Sequence, residues 1–181
     1  MCPACNLKGF DFSGVQFERG TDLRGADLSG ANLSKARLEG VNLTNANLIG
    51  ANLTEAMIHD TSLNGANLTG ANLMKAGFQR VDLSLAKLIN ANLSGAEMYA
   101  SSFLQADLTG ADLSDLKSTM ETKFDKANLT SVKLNGANLA YASFKGTDLG
   151  QASLKSAKVS DDQLRNALLK GTTLADGTLS K

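Results

Sequence analysis

Three groups of residues in this 181-residue chain have the types and spacing for chemistry. Cys2-Pro3-Ala4-Cys5 has the CxxC spacing of dithiol redox centres. That chemistry calls for a helix N-terminus in a βαβ setting to lower one thiol's pKa, and neither pattern follows Cys5. His59 is the single histidine. Any Ser-His-Asp, Cys-His or zinc constellation would therefore have to run through it. Zinc needs four ligands, and His59 lies far along the chain from both cysteines. The third group is a long series of Asp and Asn side chains, among them Asp27, Asn32, Asn47, Asn52 and Asp112. They recur too regularly to be a catalytic carboxylate pair, and short Asx side chains are good at bonding nearby backbone at corners. Calcium-binding solenoids use a nine-residue Gly/Asp repeat, which is absent here. The expectation is a chain that is no enzyme and holds no metal or cofactor.

The elements that position these residues follow from a period of five. Ala26-Asp27-Leu28-Ser29-Gly30 is followed at once by Ala31-Asn32-Leu33-Ser34-Lys35, and the beat runs on to Ala111-Asp112-Leu113. Five fits neither the 3.6 of a helix nor the 2 of a strand. It suits a coil that turns a corner every five residues and points each large apolar residue inward. These central residues fall at Leu7, Phe12 and Phe17, then every fifth residue from Leu23 to Leu113 and from Phe124 to Val159. That makes thirty repeats with two single-residue slips. From Leu23 onward the residue two before each centre is small, usually Ala, with Val41, Val81, Val132 and Thr61 among the largest. Glycines such as Gly25, Gly30 and Gly50 stand two after it, where the turns fall. Repeats of this kind stack as a solenoid, each burying its apolar side against its neighbours.

The residues match A(D/N)LXX, and the chain resembles the pentapeptide repeat family, cyanobacterial-type members in particular. The resemblance implies an all-β fold, a right-handed quadrilateral parallel β-helix with four repeats per coil. Residues 1–159 would form about eight coils, roughly 37 Å long at the spacing of hydrogen-bonded strands. Residues 160–181 would form a short C-terminal capping α-helix and tail. Ser160-Asp161-Asp162-Gln163 reads as a capping box, Leu164, Ala167 and Leu168 as a helical apolar stripe, and Gly171 as the stop. Phe103, Phe124 and Phe144 fall on one side as a ladder. Cys5 takes a small inward slot, with Cys2 just outside it. The CPxC start followed by NLxG resembles members that enter the periplasm or thylakoid lumen, where Cys2 and Cys5 would pair as a disulfide. A cytoplasmic home with free thiols is the alternative.

Composition narrows the partners. Lysine plus arginine and aspartate plus glutamate both number 18, so the formal charge is zero. The acidic residues gather toward the N-terminal two thirds and the basic ones toward the rest. No apolar run is long enough to cross a membrane, and Met1 opens nothing that looks like a secretory leader. Nucleic-acid binding lacks a basic stripe with aromatics. Three sides of the coil carry mostly Asn or Asp before the central residue. The fourth departs, with Arg37, Met57, His59, Arg80, Glu97 and Tyr99 on it or at its corner. It also meets the irregular stretch 114–123, where Leu116 or Met120 should turn outward. Varied amphipathic residues grouped on one face suit a protein partner. The expectation is a scaffold or protein-interaction module, monomeric or weakly end-to-end associated. The alternative comes from the resemblance: some members imitate duplex DNA and modulate a type II topoisomerase. Zero net charge counts against it, since such mimicry replaces phosphates with dense negative charge.

Overall fold

The computed structural model describes residues 2–180. Met1 and Lys181, the outer bounds of the two expected segments, lie outside it. The chain winds as a four-sided parallel β-helix. Successive coils pair through the polar residue before each centre: Asp22 with Asn42, Asn32 with Asn52, Asn52 with Asn72. Offsets of 21 replace 20 at Asn6–Asp27 and at Ser102–Lys123, so each slip is absorbed without losing the stack.

Burial follows the repeat. Leu28, Leu33, Leu48, Leu68 and Leu108 have no exposed surface, and Ala26, Ala31, Ala66 and Ala111 are buried beside them. A core of this width is only two layers of side chains thick, so alanine fills one layer and leucine the other. The aromatic ladder is present: Phe103–Phe124 centroids are 5.0 Å apart and Phe124–Phe144 5.4 Å, both stacked. Phe78 joins it from the fourth side at 6.5 Å.

The corners explain the glycines. Backbone φ is positive two residues after the centre, at Gly30, Gly50 and Gly70 but also at Lys35, Glu55 and Leu85. The preceding Asx side chains do bond the backbone: Asn47 Oδ1 accepts from Ile49 N–H at 3.2 Å, and Asp27 Oδ1 from Ser29 N–H at 3.0 Å. On the first three sides the corner closes with a backbone bond, as Ala66 N–H to Leu63 C=O at 3.0 Å.

The fourth side differs. There β1 (Met57–His59), β2 (Gly77–Gln79), β3 (Glu97–Tyr99) and β4 (Lys117–Ser118) form a continuous parallel sheet. Next to it, β5 (Thr122–Lys123) pairs with β6 (Ala142–Ser143). The small slot after each of β1–β3 holds Thr61, Val81 or Ser101 in place of alanine. At these three corners no backbone bond closes the turn. The corner bond is replaced: Thr61 Oγ1 lies against the carbonyls of Leu38 and His59, and Val81 N–H donates to Ser101 Oγ at 3.2 Å.

At stretch 114–123 the two inward roles are exchanged. Leu116 is buried in the small slot, and Ser118 is buried in the large one. Ser118 Oγ donates to the Met120 carbonyl at 3.0 Å. Met120 is the residue turned outward.

The C-terminal helix is shorter than the apolar stripe suggests. The capping box forms, with Ser160 as N-cap and Gln163 reaching back to it, but α1 is one turn, Asp161–Leu164. Leu168, expected on the helix, is exposed and pairs with Asp148 in the β-stack. The five-residue register wins over the helical one because Leu164, Leu169 and Leu174 continue it from Val159. Residues 172–180 then fold back, with Thr173 antiparallel to Leu179.

Candidate interaction face

The fourth side arranges its outward residues in two rows. Strand register places Met57, Gly77, Glu97 and Lys117 in one row, and His59, Gln79 and Tyr99 in the other. Arg37 extends the first row by pairing with Met57. Arg80 stands at the corner beyond the second row. The six residues singled out from sequence thus share one side, though Arg37 and Arg80 sit at its margins.

Gly77 breaks the first row. A Cβ there would come 4.0 Å from His59 Nε2, so His59 leans across the gap. The result is a shallow hollow lined by His59, Gly77, Gln79, Glu97, Tyr99 and Thr119. Glu97 is held by Lys117 Nζ at 2.9 Å. Arg80 grips Asp60 with two bonds, 2.6 and 2.8 Å. Arg19 pairs with Glu39 at 2.8 Å and reaches Asp60 at 3.6 Å. This fixed charge series lines the corner, and Arg80, then Arg19 and His59, hold the Asp60 carboxyl below its ordinary value.

Tyr99 is exposed, and so are Met120 and Tyr141 further along the same corner. Sequence reasoning passed over Gly77, Gln79 and Thr119. Gly77 had a readable signal: it is the one glycine at a position otherwise polar or large on this side. Met57 is only half-buried, enough to present its thioether.

At the other candidate motif, Cys2 and Cys5 meet across the first corner with Cα atoms 5.5 Å apart, within the span a disulfide bridges. Cys5 is half-buried, because no coil precedes it within the described residues. Among the described residues, no cluster of three or more His, Cys, Asp or Glu side chains is placed to hold a metal ion. No described helix is long and apolar enough to cross a membrane.

A parallel coil of pentapeptides with an Ala/Leu core defines a class, the quadrilateral β-helix proteins. The pentapeptide repeats pattern matches in eight copies, over segments from 4–45 to 133–171, and the chain belongs to that family. It is similar in structure to trypsin-treated QnrB1, a plasmid-mediated fluoroquinolone resistance protein. The TM-score is 0.70 and the identity 18%, over 96% of this chain and 92% of that one. HetL of the cyanobacterium Nostoc, a pentapeptide repeat protein involved in heterocyst differentiation regulation, is 27% identical over 98% of this chain and 92% of its own, with a TM-score of 0.34. A pentapeptide repeat protein of the Arabidopsis thaliana thylakoid lumen is 29% identical over 80% and 72%, with a TM-score of 0.26. No curated protein sequence matches the chain.

Proposed function

We propose that this chain is a non-enzymatic β-helical scaffold that binds a protein partner through its fourth side. The observation that carries this reading is the exposed line Tyr99, Met120 and Tyr141 beside the Gly77 hollow. Three sides spend their outward residues on ladders that hold the coils, as in Asn47 Nδ2 to Asp27 Oδ1 at 3.0 Å. The fourth side frees its outward residues from that duty, because its sheet is held by three-residue strands. Tyrosine and methionine there offer large contact area, and Tyr and Arg are the usual interface anchors.

The test is capture by a photo-crosslinker placed at Tyr99, compared with one placed at Asn52. A partner from the native host should crosslink to the first position and not the second. Tyr99→Ala with Met57→Ala should weaken that capture by at least tenfold and leave the melting temperature unchanged; Asn52→Ala with Asn72→Ala should keep it. Capture at Asn52 alone would move the interface to another side.

The likeness in fold to QnrB1 supports a second reading, a DNA-mimicking modulator of a type II topoisomerase. The charge distribution opposes it. Residues 1–116 hold 8 basic and 12 acidic groups, a net of −4, and residues 117–181 hold 10 and 6, a net of +4. The basic part of the rod would be repelled by a positively charged surface that binds DNA. A gyrase supercoiling assay decides: protection from a fluoroquinolone would favour the second reading.

A further inference from the structure

The two ends of the rod are finished differently. At the C-terminal end, Gln163 Nε2 donates to the carbonyls of Leu139 at 2.8 Å and Ala142 at 2.7 Å. The folded-back tail supplies Thr178 C=O to Leu174 N–H at 2.7 Å and Ser180 N–H to Thr172 C=O at 2.8 Å. Donors and acceptors that a further coil would have used are thus met within the chain.

The first coil, residues 2–21, has no such cover among the described residues. Its bonds to another coil run only to the second: Leu7 N–H to Asp27 C=O at 2.7 Å, Phe12 N–H to Asn32 C=O at 2.7 Å, Phe17 N–H to Arg37 C=O at 3.0 Å. The N–H and C=O of Asn6, Asp11 and Gln16 point the other way and meet no backbone partner among the described residues. Three sides of a square therefore present unpaired strand edge in one plane. Such an edge templates pairing with another.

The apolar residues of this coil are also unlike those above it. The small slots that hold Ala31 and Ala36 one coil up hold Phe10 and Val15 here. Both are exposed, at 56% and 40%. Phe10 is too large for the inward slot and lies over the open end, stacked on Phe12 at 6.0 Å, with Phe17 tilted against Phe12 at 5.6 Å. Leu7, Phe12 and Phe17 are only partly buried.

We propose that this end is a self-association face and that two copies join head to head through their first coils as a closed dimer. Shape commits the face to a second copy. A peptide strand could pair with one side of the square, whereas three edges and a central apolar plug are matched together by another square coil. The opposite end of the rod is blocked by its own tail, so the mate is the same end of the second copy. That contact is isologous and closes at two instead of growing a filament. Charge permits it: Lys8, Asp11, Glu18 and Arg19 sum to zero on this coil, so identical ends do not repel. Twenty residues per copy is the scale of a standard interface, about 20–30 residues a side.

Sedimentation equilibrium on the whole chain tests this. The expected result is a mass of two chains at concentrations on the order of 100 µM, falling to one on dilution. Gln16→Pro removes only an outward N–H, and Phe10→Glu puts a charge into the plug. Each should shift the dimer dissociation constant upward at least tenfold with an unchanged far-ultraviolet spectrum. Hydrogen exchange gives a readout free of substitutions: the amides of Asn6, Asp11 and Gln16 should be protected at high concentration and exchange freely on dilution. A single-chain mass at high concentration would overturn the proposal. So would a dimer that leaves those three amides unprotected, or a mass that climbs past two.

Discussion

Single residues in this protein answer to the corner they occupy. Gly50 sits at φ 63 with nothing within 4 Å of where a Cβ would be. Gly50→Ala should therefore cost about 1 kcal/mol through backbone conformation alone. A urea melt checks it, and the half-buried change Thr69→Ala gives the scale for a lost Asx-type contact. Asp60 titrates in the opposite sense to a buried acid. Its folded pKa lies below the ordinary 3.8, chiefly through the Arg80 bonds. A depressed carboxylate contributes stability that is present above its unfolded pKa and lost as pH falls through the folded value. The melting-temperature gap between wild type and Asp60→Asn should then hold at neutral pH and close below about pH 4. A gap independent of pH would show that the Asp60–Arg80 pair contributes through packing only.

At the scale of elements, exchanges of role matter more than residue type. Leu116 and Ser118 swap the small and large inward slots at the second slip. Leu116→Ala should cost roughly 2–5 kcal/mol by leaving a cavity. Ser118→Leu alone overpacks the same layer, at about 1–3 kcal/mol. Together they restore the regular repeat, so the double variant should recover much of the loss in a denaturant melt. Additive losses would mean that the two side chains fill separate spaces. The one-turn helix α1 acts through Gln163, which closes the capping box and two carbonyls of the coil below. Gln163→Ala should cost about 1–2 kcal/mol. Removing 160–181 should produce larger species in light scattering, because the last coil would then expose its edge.

For the molecule as a whole, stability comes from a column that is uniform along its length. Leu68 has no exposed surface, and Leu68→Asp would place an unpaired carboxylate among leucines. A domain with a net stability of about 5–15 kcal/mol does not absorb that cost, and the variant should unfold or aggregate. Asn67→Ala, one residue away, loses only the bonds from Thr69 N–H at 3.1 Å and Thr69 Oγ1 at 2.7 Å. It should cost about 1 kcal/mol. Circular dichroism melts of the two variants separate an inward from an outward position.

The sequence by itself determined the coil, its register and its sides. A period of five with Ala two before each Leu fixes which residues point inward, since a shift of one to four residues would turn the leucines outward; four repeats to a coil followed from the family resemblance. The Phe103–Phe124–Phe144 ladder was legible for the same reason, whereas the choice of Met120 over Leu116 as the outward residue was not. Three further features were decided only by tertiary structure. The residues after Ser160 carry both a helical stripe and the five-residue register, and stacking on the coil below settled the contest in favour of the register after one turn. The continuous sheet on the fourth side, where the corner bond gives way to bonds of Thr61 and Ser101 side chains, depends on the coils above and below. The hollow at Gly77 exists because strands 20 residues apart in sequence bring His59 and Glu97 to either side of it. Period is a local property that a chain states openly. Which neighbours frame a missing side chain is a property of the stack.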